Sequence, residues 1–336
     1  MGGATNDLGL AVTVDSRSNV YTTGFFSSDN ASFGTPVDAP SGQLVLVAAG
    51  NGDAFVMKTL DETGAALQPV ISEGGIVLAT LLPTVNSISP RSIISVFGHN
   101  FSTTTRLFPE LDGDGNLTRS LGGTCLQMNG EMLPLFAVTP TQINAQAPAT
   151  PALGPASFRV LTNCKIFNAL VSEPAPVPLI SDVQMVTVET ATPGFFLFPP
   201  LADDGLIAAR FNADAVAVAP AGLFNDEFGP SRPAKPGDIV LLFGTGWGPT
   251  TAALGTGQLA TGSAQLLPDA NPMVSFSGIF LAPQNVLYVG VTPNTAGLYQ
   301  LAIRVPGIAI PGNYPVVLTV YGKSTPIGPV IPVVLP

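Results

Sequence analysis

Asp112-Gly113-Asp114-Gly115-Asn116 places three oxygen-bearing side chains at alternate positions, with glycines between them. That spacing lets a loop wrap a calcium ion, as at the start of an EF-hand loop. The twelfth position counted from Asp112 is Gly123, where such a loop carries a bidentate glutamate. Glu110 or Glu131 would have to substitute for it, and a solvated Asp/Gly turn explains the same residues. Calcium is therefore the one cofactor the sequence suggests, with Asp112, Asp114 and Asn116 as its ligands.

Acid–base chemistry is harder to assemble. His99 is the only histidine, so a Ser-His-Asp triad would have to use it. It follows Phe97-Gly98 at a strand end, and no orienting partner is evident, so a solvated turn histidine is the simpler reading. Gly244-Thr245-Gly246-Trp247-Gly248 looks like a phosphate-binding loop, but such a loop must open a helix. Pro249, Gly255 and Gly257 follow instead, which suits a turn between strands, with Trp247 in a core or interface. No catalytic residue is assigned, and the chain is not expected to be an enzyme.

Cys125 and Cys164 lack the paired spacing of a zinc or redox motif, which leaves one disulfide or two buried thiols. Each falls beside a strand of the same module, and a Cys125–Cys164 bridge is the expectation. Asn30, Asn100 and Asn116 open N-glycosylation patterns that arise readily by chance.

The elements that must position these residues are strands. Hydrophobic residues make up 46% of the 336 and charged residues 10%, too apolar a mix for disorder. Glycine and proline together number 36 + 33 = 69, which suits short strands and tight turns. The formal charge is −10 with only 12 Lys and Arg, so no cationic cluster exists to hold nucleic acid or anionic lipid. Apolar runs such as Ile239–Phe243 are strand-sized, and no membrane insertion is expected. Tyr299, Leu301, Ile303 and Val305 alternate with Gln300, Ala302 and Arg304, the period of a half-buried strand. Ile239–Phe243 reads as covered on both faces, and Asn129-Gly130 as a hairpin turn.

Two marker blocks repeat in the same order. Pro90-Arg91-Ser92-Ile93-Ile94-Ser95-Val96-Phe97-Gly98 aligns with Pro236-Gly237-Asp238-Ile239-Val240-Leu241-Leu242-Phe243-Gly244, and Val138-Thr139-Pro140 with Val291-Thr292-Pro293. Two copies of one module follow, each with the turn spacing of an Ig-like β-sandwich. Glu173–Pro178 is the expected junction.

The N-terminal stretch differs. Asp15-Ser16-Arg17-Ser18-Asn19-Val20-Tyr21-Thr22-Thr23-Gly24 and Gly52-Asp53-Ala54-Phe55-Val56-Met57-Lys58 resemble one blade of the SBBP-type β-propeller repeat. Ser18 replaces the usual turn glycine, and an insertion containing Leu44-Val45-Leu46-Val47 separates the blocks. From about residue 80 the chain resembles a C-terminal domain family of secreted acidobacterial proteins. The motifs are Ser95-Val96-Phe97-Gly98, Val138-Thr139-Pro140-Thr141-Gln142-Ile143-Asn144, Ala191-Thr192-Pro193-Gly194-Phe195-Phe196, Pro233-Ala234-Lys235-Pro236-Gly237-Asp238, Gly244-Thr245-Gly246-Trp247-Gly248-Pro249 and Ala296-Gly297-Leu298-Tyr299-Gln300. The resemblance implies secretion and no reaction. Met1–Asp7 shows neither the basic nor the apolar region of a signal peptide.

The expected fold is all-β: a blade-like unit over 1–78, then two tandem Ig-like β-sandwiches over 79–181 and 182–336. The expected function is that of an extracellular structural or adhesive protein, a self-assembling fibre or surface-layer subunit whose partners are copies of itself. An incomplete blade would accept a strand, donated by Gln43–Ala48 or by the apolar tail 330–336, and the tail reads equally as the last strand of the second sandwich. The alternative is a non-catalytic carbohydrate- or protein-binding module of a larger secreted protein.

Overall fold

The computed structural model describes residues 7–14, 20–27, 31–32, 45–46, 53–59, 68–80, 87–164, 178–199, 205–214, 216–224, 229–307 and 310–335. The expected turn at Ser16–Asn19, the junction residues 173–177 and Asn30 lie outside them. Among the described residues the regular elements are strands, and the only helical turns are two short 3-10 segments, Pro268–Ala270 and Pro283–Asn285. The chain is all-β. No helix among the described residues is long and apolar enough to cross a membrane.

The chain divides into two compact units, Met1–Gln68 and Pro69–Pro336. In the first unit, Asp7–Val14, Val20–Phe26 and Asp53–Thr59 form an antiparallel meander with Val20–Phe26 in the middle. Within the insertion, Val45–Leu46 pairs with Ala31–Ser32.

The second unit contains two pairs of sheets, and each pair closes on its own core. In the first half, Leu135–Val138, Gln142–Gln146, Ile93–His99 and Val70–Leu78 form one sheet in that order. The facing sheet runs Glu131–Met132, Thr124–Met128, Gly154–Thr162, Gln184–Val188, Ser87–Ile88. Ile94, Val96 and Ile143 from the first meet Leu126, Phe158 and Val186 from the second in one buried cluster. In the second half, the central strands Ile239–Thr245 and Tyr299–Arg304 pair and face Met273–Phe276 and Gly312–Val320. Val240, Leu242, Tyr299, Leu301 and Ile303 pack there against Val274, Val316 and Leu318.

The strand patterns behave as their sequences dictate. Tyr299, Leu301, Ile303 and Val305 are all buried on one face; on the other Arg304 is exposed and Gln300 half-buried, but Ala302 is covered as well. Asn129 and Gly130 both take positive φ, 48° and 88°, as a two-residue hairpin turn requires.

Pairing draws the boundaries elsewhere than at residues 78 and 181. Val70–Leu78 hydrogen-bonds to Ile93–His99, so it belongs with the later unit. Gln184–Val188 pairs with Gly154–Thr162 and completes the first half. The apolar tail is also placed: Val330–Val333 pairs with Gly312–Pro315 and is buried, so it is the last strand of its own sheet and not a free donor.

The repeat is structural as well as textual. Ser92 N–H donates to the Ser89 carbonyl at 3.1 Å, and Asp238 N–H to the Lys235 carbonyl at 3.0 Å. In both turns the fourth residue's side chain accepts from the first N–H, Ser92 Oγ in one and Asp238 Oδ2 in the other. Both turns hold proline second and a positive φ third, 61° at Arg91 and 90° at Gly237. Each repeat strand carries a glycine at its next-to-last position, three residues before an aromatic ring. A Cβ on Gly98 would lie 2.5 Å from the Phe101 ring, and one on Gly244 would lie 2.7 Å from the Trp247 ring. The missing side chain lets the ring fold back over the strand end.

Candidate functional site

The Asp112 loop is built by its own backbone. Asp112 Oδ1 accepts from the N–H groups of Asp114 at 3.0 Å and Asn116 at 2.9 Å, and Asp112 N–H donates to the Asn116 carbonyl at 2.8 Å. One carboxylate oxygen thus closes the turn. Of the proposed substitutes, Glu131 pairs with Arg119 at 3.4 Å. Among the described residues no group of three His, Cys, Asp or Glu is placed to hold a metal ion.

Cys125 and Cys164 form a disulfide across a Cα–Cα distance of 5.9 Å, tying the Thr124–Met128 strand to the segment just past Gly154–Thr162. His99 is exposed, opposite Val70 in the ladder. The Gly244–Gly248 segment leaves its strand into aromatic packing, not into a helix. Trp247 is fully buried, with Phe195 edge-on at 5.8 Å and Tyr299 at 5.5 Å. Its Nε1–H donates to the Gly194 carbonyl at 3.3 Å, and the Tyr299 hydroxyl donates to the Gly248 carbonyl. Burial pushes the Tyr299 pKa well up, so this donor stays protonated.

The two halves of the second unit meet through buried polar groups. Ile93 N–H donates to Thr245 Oγ1 at 2.8 Å, and the Thr245 hydroxyl donates on to the Gly297 carbonyl at 2.8 Å. Gly257 N–H donates to Gln146 Oε1, and the Thr192 hydroxyl donates to Ser89 Oγ at 3.0 Å. Arg91 lies 6% exposed at this seam and donates from Nη2 to the Leu254 carbonyl. Its Nε is buried without a partner, and no carboxylate among the described residues pairs with it. Desolvation pulls the Arg91 pKa down, and Tyr299 partly opposes that. In the sequence Arg91 is marked only by its alignment with Gly237, which sets a bulky residue in a glycine slot.

Two exposed apolar strands stand out. Leu8, Leu10 and Val12 on the edge strand Asp7–Val14 are 51%, 67% and 68% exposed, and Phe25 stands opposite Leu8. At the edge of the second half's smaller sheet, Ile279 and Phe280 are 74% and 66% exposed beyond the Ser277-Gly278 turn.

No family model matches this chain. No curated protein matches it either. Solved structures offer slight likenesses. One is to SGBP-B of the Bacteroides ovatus mixed-linkage glucan utilization locus, in complex with a heptasaccharide, at 9% identity and a TM-score of 0.25. It covers 95% of this chain and 53% of that one. Another is to the plexin A4 extracellular region, at 12% identity and a TM-score of 0.24, covering 89% of this chain and 20% of that one. A third, to a candidate DNA-binding protein of Bacteroides vulgatus, has 13% identity and a TM-score of 0.23, covering 53% and 71%. The chain thus spans about a fifth of the plexin region and half of the glucan-utilization protein. Likenesses this slight assign no function.

A cleft of about 570 Å³ is lined by Glu189, Thr190, Ala191, Asp269, Tyr321 and Lys323. Glu189 and Lys323 pair at 2.6 Å, and the hydrogen bond from Lys323 holds the Glu189 carboxyl below its usual range. Its residues come from three distant stretches of chain, so no spacing in the sequence announces it.

Proposed function

We propose that this is a non-enzymatic extracellular β-protein that associates with copies of itself, as a fibre or surface-layer subunit with an adhesive role. One observation carries the reading. The Asp7–Val14 edge strand has a single ladder partner among the described residues and exposes Leu8, Leu10 and Val12. An unpaired edge offers a row of N–H and C=O groups, and exposed large apolar residues beside it favour a covering strand. An apolar strand from a second copy meets both needs by strand addition. The sheet has only three described strands, a number at the lower limit of independent stability.

The Ile279–Phe280 edge is a second, unlike patch on the same chain. Two unlike patches per copy let contacts propagate instead of closing into a dimer, which suits a filament. Secretion is supported by the disulfide, since such bonds persist in oxidising compartments. The resemblances to the SBBP-type repeat and to the secreted acidobacterial domain family belong to the same proposal, as does the Ig-like character of the two sheet pairs.

Electron microscopy of the full chain, beside a Leu10→Lys, Val12→Lys variant, tests the reading. Both positions are already exposed, so the charges should leave the fold intact by circular dichroism. Filaments or sheets from the parent, absent from the variant, are expected. Equal assembly by both proteins would remove the edge strand from the account.

A further inference from the structure

The cleft lined by Glu189, Asp269, Tyr321 and Lys323 is built around a strained aromatic residue. Tyr321 and Gly322 form the two-residue turn between Gly312–Val320 and Lys323–Ser324, with φ of 50° and 72°. Asn or Gly is the usual first residue of such a turn, because a bulky side chain is poorly tolerated at positive φ. The surroundings hold it there. Tyr321 N–H donates to the Ala270 carbonyl at 2.8 Å, and its ring lies so near Gly248 that a Cβ there would sit 2.7 Å from Cε2. A strained residue held by its neighbours at the wall of a cleft is a pointer to function.

The lining decides what could enter. The Tyr321 hydroxyl donates to Asp269 Oδ1 at 3.3 Å. Burial, helped by that carboxylate, pushes the Tyr321 pKa up to about 12, so the hydroxyl keeps its proton near neutral pH. Lys323 is already paired with Glu189, which leaves Asp269 without a cation of its own among the described residues. An anion would meet two carboxylates against one neutralised ammonium. A lipid or other apolar ligand would find only Ala191 and part of a ring to cover. Carboxylates accept from hydroxyls, an ammonium and a phenol donate to them, and an aromatic ring accepts the C–H face of a sugar. The volume is that of a small-molecule site.

We infer that this cleft is a binding site for a neutral saccharide, with Tyr321 as its platform and Asp269, Glu189 and Lys323 as hydrogen-bonding partners for sugar hydroxyls. The inference goes beyond self-association and does not depend on it.

Saturation-transfer NMR on the full chain, with cellotriose, maltotriose and chitotriose as separate probes at millimolar concentration, tests it. Transfer to at least one probe is expected. Tyr321→Asn and Asp269→Asn should each weaken its binding tenfold or more, while Phe280→Ser, away from the cleft, leaves it unchanged. Tyr321→Asn suits the positive φ, and circular dichroism should show it and Asp269→Asn folded like the parent. Absence of transfer to all three probes overturns the inference, as does undiminished transfer in the Tyr321→Asn and Asp269→Asn variants.

Discussion

The turns at Arg91 and Gly237 are the same turn made twice, with one residue changed. Both carry a proline second, both bond their fourth N–H to the first carbonyl, and both send the third N–H to the far neighbouring segment. Arg91 N–H reaches the Pro148 carbonyl at 3.0 Å, and Gly237 N–H the Val305 carbonyl at 2.9 Å. Gly237 faces open space, with nothing within 4 Å of where a Cβ would stand. Arg91 instead crosses to the other half and donates to Leu254. A left-handed arginine costs about 1–3 kcal/mol, and a buried bond from a charged donor returns a similar amount. Shared residues therefore build each copy, and the residue that departs from the repeat joins the copies. The difference teaches where to look for function in a duplicated module: at the positions where the copies disagree.

The largest effects should show what the copies share. Phe101→Ala and Trp247→Ala remove the ring that folds over the glycine near each repeat strand's end, and each should cost up to about 5 kcal/mol. Urea unfolding of both variants is the check, and a marked loss in one copy alone would break the equivalence of the two motifs.

The next effect belongs to one copy only. The Cys125–Cys164 bridge closes a separation of 39 residues, and the second half has no counterpart. Its removal by a double Cys→Ser variant should cost up to about 4 kcal/mol in the chain-entropy model. Hydrogen exchange should then rise in the Thr124–Met128 and Gly154–Thr162 strands, with Ile239–Thr245 unaltered. A uniform rise over both halves would mean that the seam couples them more tightly than their separate cores suggest.

Arg91→Gly is a subtler change. Relief of the turn and loss of the seam bond nearly cancel, so net stability should move by about 1 kcal/mol or less. Cooperativity should change more than stability, with one calorimetric transition of the second unit separating into two. An unchanged single transition would transfer the joining role to Thr245 and Gln146.

Asp112→Ala should have the smallest effect, about 1 kcal/mol or less for a lost side-chain-to-backbone turn contact. A melting temperature independent of calcium in both parent and variant fits the turn role. Calcium-dependent stabilisation of the parent alone would restore the ion.

Much of this fold was legible because it is local. Alternation over Tyr299–Val305, the Asn129-Gly130 turn and the two marker blocks each depend on neighbours in sequence. The boundaries at 78 and 181 missed because Val70–Leu78 and Gln184–Val188 are claimed by distant strands, a matter of pairing and not of composition. The tail left two readings open in sequence, a donor and a last strand, and its pairing with Gly312–Pro315 decides for the last strand. Sequence alone does not separate the two roles open to Asp112, because a carboxylate that closes a turn and one that binds calcium occupy the same glycine-spaced pattern. Tyr321 gave no warning: its strain is a property of φ, and its cleft partners lie far away in the chain.

Self-association, as proposed, runs through the exposed edge strand of the first unit. Sedimentation velocity of the purified full chain over a broad concentration series tests it most directly. The account predicts species larger than a monomer that grow with concentration and disappear when Leu10 and Val12 are replaced by lysine. A single monomeric boundary at every concentration would contradict it.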